Sequence, residues 1–147
     1  MNKFLNERII GIWRIVSWMY KDEAGKTGDF FGEHIMGIII YTNDGDVSTH
    51  LLKKGRQLFE SENFDGFTAM EARAALSGYP GYYGTYYEEK PGELVHTIEG
   101  CSTPLWTTKR AVRYAEIKDD ILTLTTPFIA TSNGNVVLHV KWERIAA

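Results

Sequence analysis

Eight short runs of strand-forming residues, each closed by turn residues, constrain this chain more than any other feature. They are Ile12–Tyr20, Met36–Thr42, Asp46–Leu52, Tyr82–Glu88, Leu94–Cys101, Arg110–Ile117, Ile121–Thr126 and Val136–Arg144. All are rich in the β-branched and aromatic residues that suit a pleated, half-buried surface. Asn43-Asp44-Gly45 tolerates the positive φ of a hairpin, and "EKPGE", "KDD" and "SNGN" make further short turns. Connections this short place neighbours in sequence side by side in space. An open sheet of eight strands leaves two unpaired edges, whereas a closed one leaves none and encloses room for side chains or one small ligand. The expected fold is all-β and antiparallel, a closed barrel, with a two-sheet sandwich as the alternative. One helix interrupts: in "TAMEARAALSG" Thr68 and Glu71 form a capping box, and Gly78 with Pro80 beyond supplies the stop.

The 147 residues suit one domain spanning residues 1–147, and a chain of that size buries about two-thirds of its unfolded surface without a staple. Cys101 is the single cysteine, which excludes an intrachain disulfide and any CxxC metal or redox motif. In the N-terminal "MNKFLNERIIGIW", Glu7 and Arg8 break the apolar run before a secretory segment could form, and no run is long enough to span a membrane. A cytoplasmic protein with no membrane partner is expected. The 16 basic and 19 acidic residues give a net charge of −3 with the basic ones scattered, which is not the footprint of a nucleic-acid binder.

Strand alternation sorts the side chains that could face an interior. "GYYGTYYEE" splits into Tyr82, Gly84 and Tyr86 on one face and Tyr83, Thr85 and Tyr87 on the other. Gly84 between two rings marks either a pocket that the rings border or a barrel-corner kink covered by a neighbouring ring. Leu94, His96, Ile98 and Gly100 share the more apolar face of their strand, which turns His96 inward, first as a hydrogen-bonded core residue and second as a catalyst. Arg113 lies between Ala111 and Ala115. Inside the barrel it needs a carboxylate, a carbonyl or a ligand; the preferred reading lets the barrel's twist carry it to the rim, in water. Val136, Leu138, Val140 and Trp142 form the clearest inward face.

Gly11-Ile12-Trp13 near the start and Trp142-Glu143-Arg144 near the end resemble the lipocalin arrangement of a GxW tryptophan covered by an arginine. The ordered set "GIWRIVSW", "GIIIYTNDGDVSTHL", "GYYGTYYE", "LVHTIEG", "PLWTTKRAVRY", "DDILTLTTP" and "VKWERI" resembles the bacterial lipocalin-like domain family, of calycin type. The resemblance implies an eight-stranded up-and-down barrel in which Trp13 and Arg144 are structural and close one end by cation–π stacking. It also implies either a carrier of small molecules or a cofactor-free isomerase or cyclase.

Nothing in the sequence supplies a nucleophile motif: GxSxG is absent and Ser102 has no evident base. His34, His50, His96 and His139 stand singly, so neither a metal nor another cofactor is expected. Glu88-Glu89 belongs to a solvated turn. The loop "KKGRQLFESENFDGF" is either a lid or an anchor that ties the helix to the outer wall through Leu58, Phe59, Phe64 and Phe67. Tyr41, His50, Tyr82, Tyr86, His96, Trp106 and Arg113 remain as polar groups that could line an apolar cavity and orient a small hydrophobic or aromatic molecule. In the enzyme alternative, an isomerase, cyclase or lyase, His96 is the acid or base and Arg113 or a tyrosine stabilises a developing oxyanion. A third alternative packs the interior solid and forms a homodimer through the outer wall, with Trp18 and Tyr20 on the face opposite Trp13.

Overall fold

The first and last long strands close the sheet on itself. The computed structural model describes residues 5–104 and 109–146. One helical turn, α1 (Leu5–Arg8), precedes β1 (Gly11–Asp22), β2 (Thr27–Asp29), β3 (Ile35–Tyr41) and β4 (Asp46–Lys53). Helix α2 (Ala69–Ser77) follows, then β5 (Gly81–Lys90), β6 (Glu93–Cys101), β7 (Arg110–Lys118), β8 (Ile121–Thr125), β9 (Ile129–Thr131) and β10 (Gly134–Ala146). The strands run β2-β1-β3-β4-β5-β6-β7-β8-β10-β9, and β1 pairs with β10. Eight strands therefore make a closed antiparallel barrel, and the short β2 and β9 extend β1 and β10 at one end. Both short strands, and α1, are additions to the elements expected from the sequence.

Two bulges decide which side chains turn inward. In β1 the register steps between Ile15↔Trp142 and Ser17↔Lys141, leaving Val16 as an extra residue that is 51% exposed. A bulge shifts the alternation by one, so Trp18 joins Trp13 and Ile15 in the core instead of facing the other way. The outer surface on which self-association rested is thus not formed by Trp18, and Tyr20 is itself partly buried against the core. In β6 the register steps between Gly84↔Ile98 and Tyr83↔Gly100, leaving Glu99 unpaired. Gly84 sits where the two backbones converge: a Cβ there would lie 1.9 Å from the Thr97 carbonyl oxygen. Its missing side chain is filled by the β6 backbone, so Gly84 borders no pocket and needs no covering ring.

One end of the barrel is packed solid. Trp13 is fully buried and donates from Nε1 to the Ile9 carbonyl at 2.8 Å. The Arg144 guanidinium stacks 4.1 Å from the Trp13 ring centroid, donates to the carbonyls of Ile10 and Arg8, and lies 3.6 Å from Asp120. Ile9, Leu94 and Leu122, none with exposed surface, fill in around them. Helix α2 lies at the other end. Its capping box forms, with Glu71 N–H donating to Thr68 Oγ1 at 3.1 Å and Thr68 N–H to the Glu71 carboxylate at 2.8 Å. No α2 residue is buried, so the helix rests on the barrel's mouth and is not part of its core.

Candidate functional site

Positions on seven barrel strands line a cavity of about 510 Å³ towards the α2 end. Its deeper wall is made by Ile39 of β3, Tyr82 of β5, Arg113 of β7, Leu124 of β8 and Trp142 of β10. Trp18, now inside, flanks it, and the half-buried Phe30 and Phe31 with Leu76 of α2 rim the opening. Trp18 packs on both phenylalanines, with ring centroids 5.0 and 4.7 Å away. Two hollows of similar size, about 560 and 530 Å³, lie on the outside, one beside His50 and Tyr79 and one between α2 and the loop after β4. Volume does not separate the three. The interior one differs in being walled by the apolar inner face of the barrel, which is how small-molecule sites are built.

Beneath the cavity lies a buried hydrogen-bonded chain. His96 has no exposed surface; its Nδ1 is 2.6 Å from the Tyr82 hydroxyl and its Nε2 2.8 Å from that of Tyr41. Burial, reinforced by the positive charge of Arg113, lowers the His96 pKa from 6.5 to about 3. The ring is neutral at physiological pH, with one nitrogen donating and the other accepting. Burial likewise pushes the Tyr41 hydroxyl well above its ordinary range. Tyr82 is raised by burial while Arg113 beside it pulls the other way. Tyr86 is raised by burial and by Asp46; it packs edge-on against Tyr41 and donates to the Thr42 carbonyl at 2.8 Å.

A neutral imidazole between two phenols has two arrangements. Either Tyr82 donates to Nδ1 while Nε2–H donates to Tyr41, or Tyr41 donates to Nε2 while Nδ1–H donates to Tyr82. The second frees the Tyr82 proton for the cavity. Tyr82 can therefore offer a guest either a lone pair or an O–H, according to the tautomer of His96.

Of the seven polar groups singled out in the sequence, Tyr82 and Arg113 line the cavity. Tyr41, Tyr86 and His96 point inward but lie in the packed part. His50 does not face the interior: β4 turns Val47 and Thr49 inward, so His50 falls on the exposed outer wall, 3.1 Å from the Tyr79 hydroxyl. Trp106 lies outside the described residues. Arg113 is not at the rim. It pairs in register with the fully buried Leu94 and shares that inward face. No residue of the loop after β4 lines the cavity, and of its apolar residues Leu58 and Phe64 are 94% and 99% exposed while Phe59 and Phe67 pack on each other with centroids 5.6 Å apart. The loop is tied to α2 by Glu60 N–H donating to the Glu71 carboxylate and Arg56 to the Ala75 carbonyl. Phe30 and Phe31 were missed; the signal was a phenylalanine doublet in an otherwise polar connection.

A family profile described as "Lipocalin-like domain" matches residues 10–145, nearly the whole of this barrel. The chain belongs to the lipocalin-like domain family. Among curated proteins no relative matches it. In this lipocalin-like barrel the matched segment contains every described residue that lines the cavity. Among the described residues no helix is long and apolar enough to cross a membrane, and no group of three or more His, Cys, Asp or Glu is placed to hold a metal ion.

Proposed function

We propose that this lipocalin-like barrel binds one small hydrophobic or aromatic molecule in its interior. The observation that carries the reading is the cavity of about 510 Å³, within the ~300–1,000 Å³ of typical ligand sites, with apolar walls and a few polar groups at one end. Aromatic rings at Trp18, Phe30 and Phe31 would grip the apolar body, and Tyr82 with Arg113 would set its orientation. Cys101, unpaired and half-buried, suits the reducing cytoplasm in which the proposal places the protein. The test is titration with the fluorescent probe phenylnaphthylamine, together with mass spectrometry of any molecule retained from the expression host. Saturable binding at one site per chain is expected, and Leu51→Trp, which fills the cavity from its wall, weakens it at least ~10-fold. Absence of saturable binding to the wild type, or equal binding by Leu51→Trp, overturns the reading.

A second reading, a cofactor-independent isomerase, cyclase or lyase, is favoured by the Tyr82–His96–Tyr41 chain. In it Tyr82 is the group that touches the substrate and Arg113 faces the developing oxyanion. His96, which lines no part of the cavity, becomes a positioning residue that sets the Tyr82 proton. Turnover of an enolisable apolar substrate that survives Tyr82→Phe unchanged overturns this assignment.

A further inference from the structure

The polar groups at the cavity do not balance. The described residues that line it include two arginines, Arg113 and Arg73, and no aspartate or glutamate. Arg113 is half-buried, and Arg73 is exposed at the mouth. The Arg113 guanidinium donates to the carbonyl of its own neighbour Val112 at 2.9 Å and to the Tyr82 hydroxyl, both neutral, while the ion pairs among the described residues are Arg110–Glu89 and Arg144–Asp120. No carboxylate among them offsets its charge. Donors are in surplus as well. The indole nitrogens of Trp18 and Trp142, both in residues lining the cavity, are buried without a hydrogen-bond partner among the described residues. None of the bonds made by these threonines of the wall reaches an indole: Thr49 donates to the Ile38 carbonyl, Thr131 donates to that of Gly134, and Thr126 accepts from the Leu138 N–H. A half-buried cation that meets only neutral partners, and two buried indole donors without a partner among the described residues, are less favourable in an empty barrel than once an anionic acceptor arrives.

We infer that the guest of this cavity is an organic anion: an apolar or aromatic body ending in a carboxylate or comparable oxyanion, which binds at Arg113 and Tyr82 while the body lies against Trp18, Phe30 and Phe31. This rests on the interior-binding reading and names the chemical class of its ligand. A planar guanidinium is suited to an oxyanion head, and a hydrogen bond between charged groups is about twice as strong as a neutral one. Tyr82 adds an O–H in the arrangement where His96 donates to it. Burial is the main cause of the lowered His96 pKa and the positive charge of Arg113 adds to it; the same charge favours an anion bound beside it. Arg73 at the mouth adds attraction on the way in.

Two probes isolate the head group. Anilinonaphthalene sulfonate and phenylnaphthylamine share one aromatic body and differ by the sulfonate. The wild type is expected to bind the sulfonate more tightly. Arg113→Gln shifts the ratio of the two dissociation constants against the sulfonate by about 10- to 100-fold, and Arg113→Lys retains part of the preference. In the wild type alone, decanoate displaces phenylnaphthylamine at least ~10-fold more effectively than decanol. A ratio unmoved by Arg113→Gln, or decanol matching decanoate, overturns the anion assignment and leaves interior binding standing. Failure of the sulfonate alone to bind the wild type overturns the anion assignment, and failure of phenylnaphthylamine overturns both.

Discussion

Replacing His96 by phenylalanine separates two effects of opposite sign. Near neutral pH the native ring joins two phenols at 2.6 and 2.8 Å. Phenylalanine is of similar size but leaves both hydroxyls without that partner, Tyr41 in full burial, and an unsatisfied buried group costs about 1–3 kcal/mol. Because Tyr82 also reaches the cavity and Arg113, the total loss expected is about 3 kcal/mol. In acid the wild type gives this advantage back. The His96 pKa falls from 6.5 in the unfolded chain to about 3 in the fold, so between those values the unfolded chain holds a proton that the folded one does not. Stability is complete above the unfolded pKa and is lost as pH drops, by about 1.4 kcal/mol per unit and about 5 kcal/mol across the whole window. The variant lacks that slope while sharing every carboxylate. Urea unfolding followed by tryptophan fluorescence should show the wild type ahead near neutrality and the two converging by about pH 4.5. Curves that stay parallel over that range would mean that His96 titrates alike in both states, and would refute its placement as a buried neutral ring.

Gly84→Ala should be severe, because its Cβ would meet the Thr97 carbonyl oxygen at 1.9 Å and β5 and β6 would have to part; a loss of more than about 3 kcal/mol in chemical denaturation is expected, and a wild-type midpoint would disprove the close approach. Arg144→Ala removes a ring stack at 4.1 Å together with bonds to two carbonyls. It should lower stability by about 2 kcal/mol, with Arg144→Lys recovering less than half; full recovery by lysine in a urea titration would show that charge alone matters at that end.

The barrel was legible because its signals are local: alternating runs, an Asn-Asp-Gly turn, and a Thr68/Glu71 box that forms as the sequence spells it. What was not legible was the side on which certain residues lie. Nothing in "RIVSW" distinguishes a regular strand from one that bulges at Val16, yet the bulge turns Trp18 from the outer wall to the cavity. The sequence alone favours the rim for Arg113, because a lone cation inside needs a partner that its own strand does not supply; its place follows from pairing with Leu94, a relation between strands that one strand cannot reveal. His50 was a different failure. Val47, Thr49 and Leu51 already fixed the inward parity of β4, and that parity left His50 outside.

The hollow half of the barrel depends on the solid half. A guest held by Tyr82 and Arg113 gains most if those groups are in place before it arrives, because ordering them on binding would consume part of the interaction. Tyr82 is held by His96, which is held by Tyr41, whose ring is braced edge-on by Tyr86 with centroids 4.8 Å apart. Each link is buried or nearly so, and burial keeps each uncharged. A polar chain in a core is stabilising only when its members are satisfied, and here the end that reaches the cavity is Tyr82. Substitutions at Tyr41 or His96 should therefore weaken binding without touching the guest, by loosening Tyr82, and the loss should appear in the sulfonate probe more than in its neutral counterpart.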